Sequence, residues 1–151
     1  METNESGDQQ MGYRIYRGDE HTFQRPNWRP EERARGVVEV SRSGLLQHSR
    51  ANLWRYPPGA AGHRHVHHVQ EEVFVVLEGE LTLHVGEPAE TFVLPAQSIA
   101  VAEPATPIKI ANGGPGDLVL FIYGAPADPS AEIIEPVAPG VKVVITGEDV
   151  T

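Results

Sequence analysis

Turn residues cut this 151-residue chain into short apolar stretches, and that punctuation constrains the fold more than any other feature. Pro57-Pro58-Gly59, Glu78-Gly79-Glu80, Gly86-Glu87-Pro88 and Asn112-Gly113-Gly114-Pro115-Gly116 are turn signals. Between and beyond them lie strand-like runs: Val37 to Val40, Ala51 to Tyr56, Val73 to Leu77, Leu81 to Val85, Thr91 to Leu94, Ile99 to Val101, Ile108 to Ile110 and Leu118 to Tyr123. They recur every ~8–12 residues, the rhythm of a sandwich or barrel. No stripe with a 3.6-residue period competes with them. The expectation is an all-β, antiparallel double-sheet β-barrel with extra strands at both chain ends.

Length argues for one domain. The polar residues 1–12 read as disordered and 13–151 as a single domain, with its barrel core at about 37–124 and a C-terminal extension at about 130–151. Tyr13 to Tyr16 reads as a short strand, and Trp28 as an anchor for an irregular charged segment. Leu45 to Arg50 is expected to continue the pairing begun at Val37, and Glu78-Gly79-Glu80 to close a hairpin. Val73 to Leu77, apolar at every position, is expected to be buried on both faces. Two tail strands, Glu132 to Ile134 and Val141 to Ile145, are placed to cover a sheet edge.

The chemistry concentrates between Gly59 and Gly79. In a strand, His63, His65 and His67 point one way while Arg64, Val66 and His68 point the other. His65 and His67 then stand ~6.6 Å apart at Cα, close enough for both imidazoles to reach one ion. Glu72 follows after five residues and shares a strand face with Phe74 and Val76, so it points into an apolar interior. A buried carboxylate there needs a cation, and a metal supplies it. The chain has no cysteine, so any metal is held by nitrogen and oxygen ligands, which suits Fe, Mn, Ni or Zn. His63, ~13 Å from His67 along an extended strand, is a possible further ligand or a contact at the mouth. Trp54, Tyr56, Phe74, Val76 and Ile108 are candidates to line the pocket. His21, His48, His68, His84 and Glu71 carry no such pattern, and Lys109 reads as a surface residue.

The stretch resembles the first motif of the cupin superfamily: Gly59, five residues, His65-Val66-His67, four residues, Glu72, six residues, Gly79. The second cupin motif is incomplete. Pro95 and Asn112 stand in place, but Gln97 occupies its glycine position and Ile108 its histidine, and no histidine follows His84. The resemblance implies a small cupin barrel, often dimeric, with three metal ligands, His65, His67 and Glu72, and without the usual fourth.

Function stays open among three classes. One is a metal-dependent enzyme on a small molecule, an oxygenase or isomerase. Another is a non-catalytic small-ligand-binding cupin with weak or no metal binding. The third is a structural role for a dimerising unit. A net charge of −9 disfavours phosphate backbones, so no nucleic-acid partner is expected. Nor is a membrane partner, since no apolar run approaches ~20 residues. The opening residues lack a secretory pattern, which places the expectation in the cytoplasm.

Overall fold

The structure is a computed structural model that describes residues 8–10, 12–24, 35–128, 130–135 and 143–145. Among the described residues thirteen strands follow in chain order: β1 Asp8–Gln10, β2 Tyr13–Ile15, β3 Gly36–Val38, β4 Arg50–Tyr56, β5 His65–Val66, β6 Glu71–Glu78, β7 Glu80–Val85, β8 Glu90–Pro95, β9 Ile99–Ala102, β10 Ile108–Ala111, β11 Leu118–Ala125, β12 Ala131–Ile133 and β13 Val143–Ile145. Two antiparallel sheets make the body, one ordered β3-β4-β11-β6-β9 and the other β13-β12-β5-β10-β7-β8. The β1–β2 ribbon stands apart from both. All-β architecture in two antiparallel sheets is as expected, arranged as a jelly-roll sandwich.

Alternation builds the core. On the five-stranded sheet, Trp54, Leu120 and Val76 lie in register across β4, β11 and β6, and all three are buried. Leu81 and Leu83 of β7 and Ile108 and Ile110 of β10 close on them from the other sheet. The next row toward the far end reads Asn52, Ile122, Phe74, and the last reads Arg50, Gly124, Glu72, Ala102. Along the same strands the inner face therefore changes from apolar to polar.

Three expectations are corrected. Glu78-Gly79-Glu80 does not close a hairpin. β6 is already flanked by β11 and β9, so the chain must leave the sheet and start β7 in the other one. Gly79 makes this crossing at φ 79°, and a side chain there would collide with the Asp117 carbonyl. Leu45 to Arg50 does not extend a pairing. A 3-10 turn at Val40–Ser43 ends it and β4 begins only at Arg50, with the Ser41 side chain bonded to the Ala51 backbone. Val73 to Leu77 is buried on one face only. Phe74 and Val76 point inward, while Leu77 remains 52% exposed because, among the described residues, no layer covers the outside of β6. Asp8–Gln10 pairs with Tyr13–Ile15, and Gly12 holds a positive φ that glycine adopts freely. Trp28 lies outside the described residues.

The C-terminal segment covers an edge in its own chain. β12 pairs with β5, and β13 with β12. At the other end of the strands, Asn112 ties the Pro57–Gly59 turn to the turn that follows β10. Its buried amide donates to the Tyr56 and Gly116 carbonyls at 2.7 and 2.8 Å, and its oxygen accepts from Gly114 N.

Candidate metal centre

β5 is only two residues long, yet it sits inside the sheet. His65 is opposite Ile108 of β10 on one side and Ile133 of β12 on the other. That double pairing fixes the backbone, and alternation then sends the His65 and His67 rings inward while His68 is exposed. The two rings meet edge to face with centroids 5.2 Å apart. Glu72, near the start of β6, arrives from the facing sheet, its Oε2 3.5 Å from His67 Nε2. One ligand atom from each of His65, His67 and Glu72 lies within 4.8 Å of the others, and all three residues are at least 96% buried.

Burial dictates the charge states. It lowers the His65 pKa, opposed mainly by the contact with the His63 backbone. It lowers His67 to about 3, helped by the positive fields of His65 and Arg50. It raises Glu72 to about 7, against the pull of Arg50 and of the Gln70 hydrogen bond. Both imidazoles are therefore neutral near pH 7, the form in which nitrogen donates a lone pair to a metal.

The residues fit a divalent ion. His65 Nδ1 is 2.9 Å from the His63 carbonyl, which makes Nδ1 the donor and leaves the Nε2 lone pair facing inward. His65 Nε2 and His67 Nε2 are both buried without a hydrogen-bond partner, an expensive condition that a metal relieves. Metal–ligand distances of about 2.0–2.2 Å place tetrahedral ligand atoms roughly 3.4 Å apart, close to the His67–Glu72 separation.

His63 contributes its carbonyl, and its ring is not among the clustered ligand atoms. Of the pocket-lining candidates, Ile108 does line the space around the triad, with Gln70, Ala102, Glu103 and Thr106. Trp54, Tyr56, Phe74 and Val76 do not. They are drawn into the apolar core one or more rows away, where the two sheets close on each other. Lys109 bonds to Glu135 at 3.2 Å on the outer side of its sheet.

The sequence reading passed over Arg50, Asn52 and Gln70, all buried on the inner face. Alternation held the signal: Arg50 and Asn52 share parity with Trp54 and Tyr56, and Gln70 with Glu72. Ala105 was also missed. It takes φ 70°, unusual without glycine, and its amide donates to the His67 carbonyl at 2.7 Å.

Comparison with known proteins agrees with this fold. Residues 52–123 match the family model described as "Cupin domain". No curated protein matches the chain. Among solved structures it is similar to a cupin-superfamily sugar phosphate isomerase from Silicibacter pomeroyi, at 19% identity and TM-score 0.60, covering 75% of this chain and 76% of that one. It is similar to an uncharacterized protein with a double-stranded β-helix domain from Klebsiella pneumoniae, at 26% identity and TM-score 0.57, covering 68% and 84%. A predicted oxalate decarboxylase from Thermotoga maritima aligns at 19% identity and TM-score 0.55, covering 60% and 79%. Over residues 52–123 the chain is similar to the cupin family, and its two-sheet architecture around the histidine strand is consistent with that fold.

Proposed function

We propose that the protein binds one divalent metal through His65, His67 and Glu72 and uses it to act on a small molecule. The reaction class suggested is that of an oxygenase or isomerase. One observation carries the reading: two neutral imidazoles with unpartnered inward nitrogens converge with a carboxylate in a buried site. A bound metal would supply Lewis acidity toward an oxygen atom of a small molecule. The chain's own residues do the rest. The His63 carbonyl holds the His65 tautomer. Ile108 walls the site with hydrocarbon. Glu103 lines the opening, and the Asp128 charge is felt at His67, a field that favours entry of a cation.

The space is tight. The neighbouring cavity between Arg50, Asn52, Gln70 and Glu72 holds about 10 Å³, about one water. This supports a ligand of few atoms, or one admitted when the Glu103–Thr106 loop moves. A thermal-shift screen of small oxygenated metabolites tests the reading. Compounds that raise Tm of metal-loaded protein and leave metal-free protein unchanged support it. Ligands that bind equally without metal favour a non-catalytic binding module.

The outside of the five-stranded sheet supports the expected homodimer, since Leu77, Ile99 and Val101 leave 52%, 64% and 74% of their surface exposed. Sedimentation at micromolar concentration checks it, and a monomer there contradicts it.

A further inference from the structure

The triad lacks a fourth ligand because Ile108 stands where the cupin pattern has histidine, yet the site holds another polar side chain. Gln70 lies two residues before Glu72 and so shares its inward face, as His65 does with His67. Two same-face pairs, one on each sheet, thus oppose each other across the site. Gln70 is 2% exposed. Its amide borders the same space as His65, His67, Glu72 and Ile108. Its Nε2 lies 3.5 Å from Glu72 Oε2, and its Oε1 is buried without a hydrogen-bond partner. The backbone opposite makes room for it. Gly124, in register with Glu72, passes directly beneath the amide, and a Cβ at 124 would overlap Gln70 Cγ, Cδ and Nε2.

A buried amide oxygen with nothing to accept from costs free energy comparable to a lost hydrogen bond. An ion held by the triad removes that cost, because a carbonyl oxygen is a suitable ligand for a divalent ion such as Mn. The nitrogen and oxygen of an amide exchange places by a simple flip of the terminal torsion, so either end of Gln70 can be turned to the ion. We propose that Gln70 Oε1 supplies the fourth protein ligand, completing a two-histidine, one-glutamate, one-glutamine site in place of the missing histidine. This rests on the metal reading above and goes beyond it.

The test is Co(II) titration of metal-free protein, following both affinity and the visible ligand-field band. Wild type is compared with Gln70→Leu, Gln70→Asn, Ile108→His and the Gln70→Leu/Ile108→His double variant, each first shown to be folded by circular dichroism. Loss of the amide ligand is expected to weaken Co(II) binding ten- to a hundred-fold in Gln70→Leu and to change the intensity of the band. Gln70→Asn, which withdraws the oxygen by one methylene, does the same. In the Ile108→His background the added imidazole fills the position, and Gln70→Leu then costs less than threefold. A Gln70→Leu band superimposable on wild type overturns the inference even where affinity falls, because it means that Gln70 only positions Glu72. Failure of the wild type itself to bind Co(II) overturns the metal reading, a separable result.

Discussion

Two rows of the same sheet face make an instructive contrast. Trp54, Leu120 and Val76 form one row across β4, β11 and β6. Two steps along those strands, Arg50, Gly124 and Glu72 form another. Backbone pairing and alternation are the same in both, and both rows are turned to the interior. The apolar row stabilises the fold by removing hydrocarbon from water, at about 25 cal/mol per Å². The polar row does the reverse, because burying Arg50 and Glu72 costs free energy that their mutual attraction only partly returns. A chain selected for stability alone would have continued the apolar row. The difference teaches that the polar end costs stability and that the apolar end supplies it.

The largest expected effect lies at the boundary between the rows. Phe74→Ala empties a fully buried site and should lower unfolding stability by about 3–5 kcal/mol in a urea titration, whereas Glu72→Gln should leave metal-free protein at pH 6 within about 1 kcal/mol of wild type. A large loss in both would erase the contrast.

Acidity sharpens the comparison next. Glu72 is raised to about 7 in the folded state, so its contribution is full below pH 4.5 and lost as pH rises through about 7, on the order of 3 kcal/mol in all. The histidines act oppositely. His67, lowered to about 3, contributes stability above pH 6.5 that is lost as pH falls toward 3, and His65 adds in the same direction. Metal-free protein should therefore be most stable near pH 6.5. Thermal denaturation across pH 4–9 checks this, and Glu72→Gln should abolish the alkaline fall while keeping the acid one.

A third outcome concerns the missing ligand. Ile108 is opposite His65 and borders the triad, so Ile108→His should tighten Zn(II) binding at least tenfold in a chelator competition. No change would mean that position 108 does not face the ion. The smallest effect is at Gln97, which holds φ 75° at an exposed position where the cupin pattern has glycine. Gln97→Gly relieves that strain and should raise stability by about 0.5–1 kcal/mol, measured by Tm.

Local chemistry was legible where a residue's neighbours in sequence are also its neighbours in space. The turns, the strands and the inward parity of His65, His67 and Glu72 follow from alternation alone. What was not legible depends on which strands meet. The step at Gly79 reads like a hairpin until β9 and β11 are known to flank β6. β5 is too short to announce itself and is held by β10 and by a strand more than 60 residues later. Phe74 and Val76 share the face of Glu72, yet only the register shows them belonging to the core rather than the cavity. Gln70 had the right parity and was passed over because an amide is seldom sought among metal ligands.

The central claim is tested most directly by elemental analysis of untagged protein purified without added metal, wild type beside a His65→Ala/His67→Ala variant. The account predicts about one Fe, Mn, Ni or Zn per wild-type chain and none in the folded variant. A wild-type protein that holds no metal, even after exposure to Fe(II), Mn(II), Ni(II) and Zn(II), would contradict it.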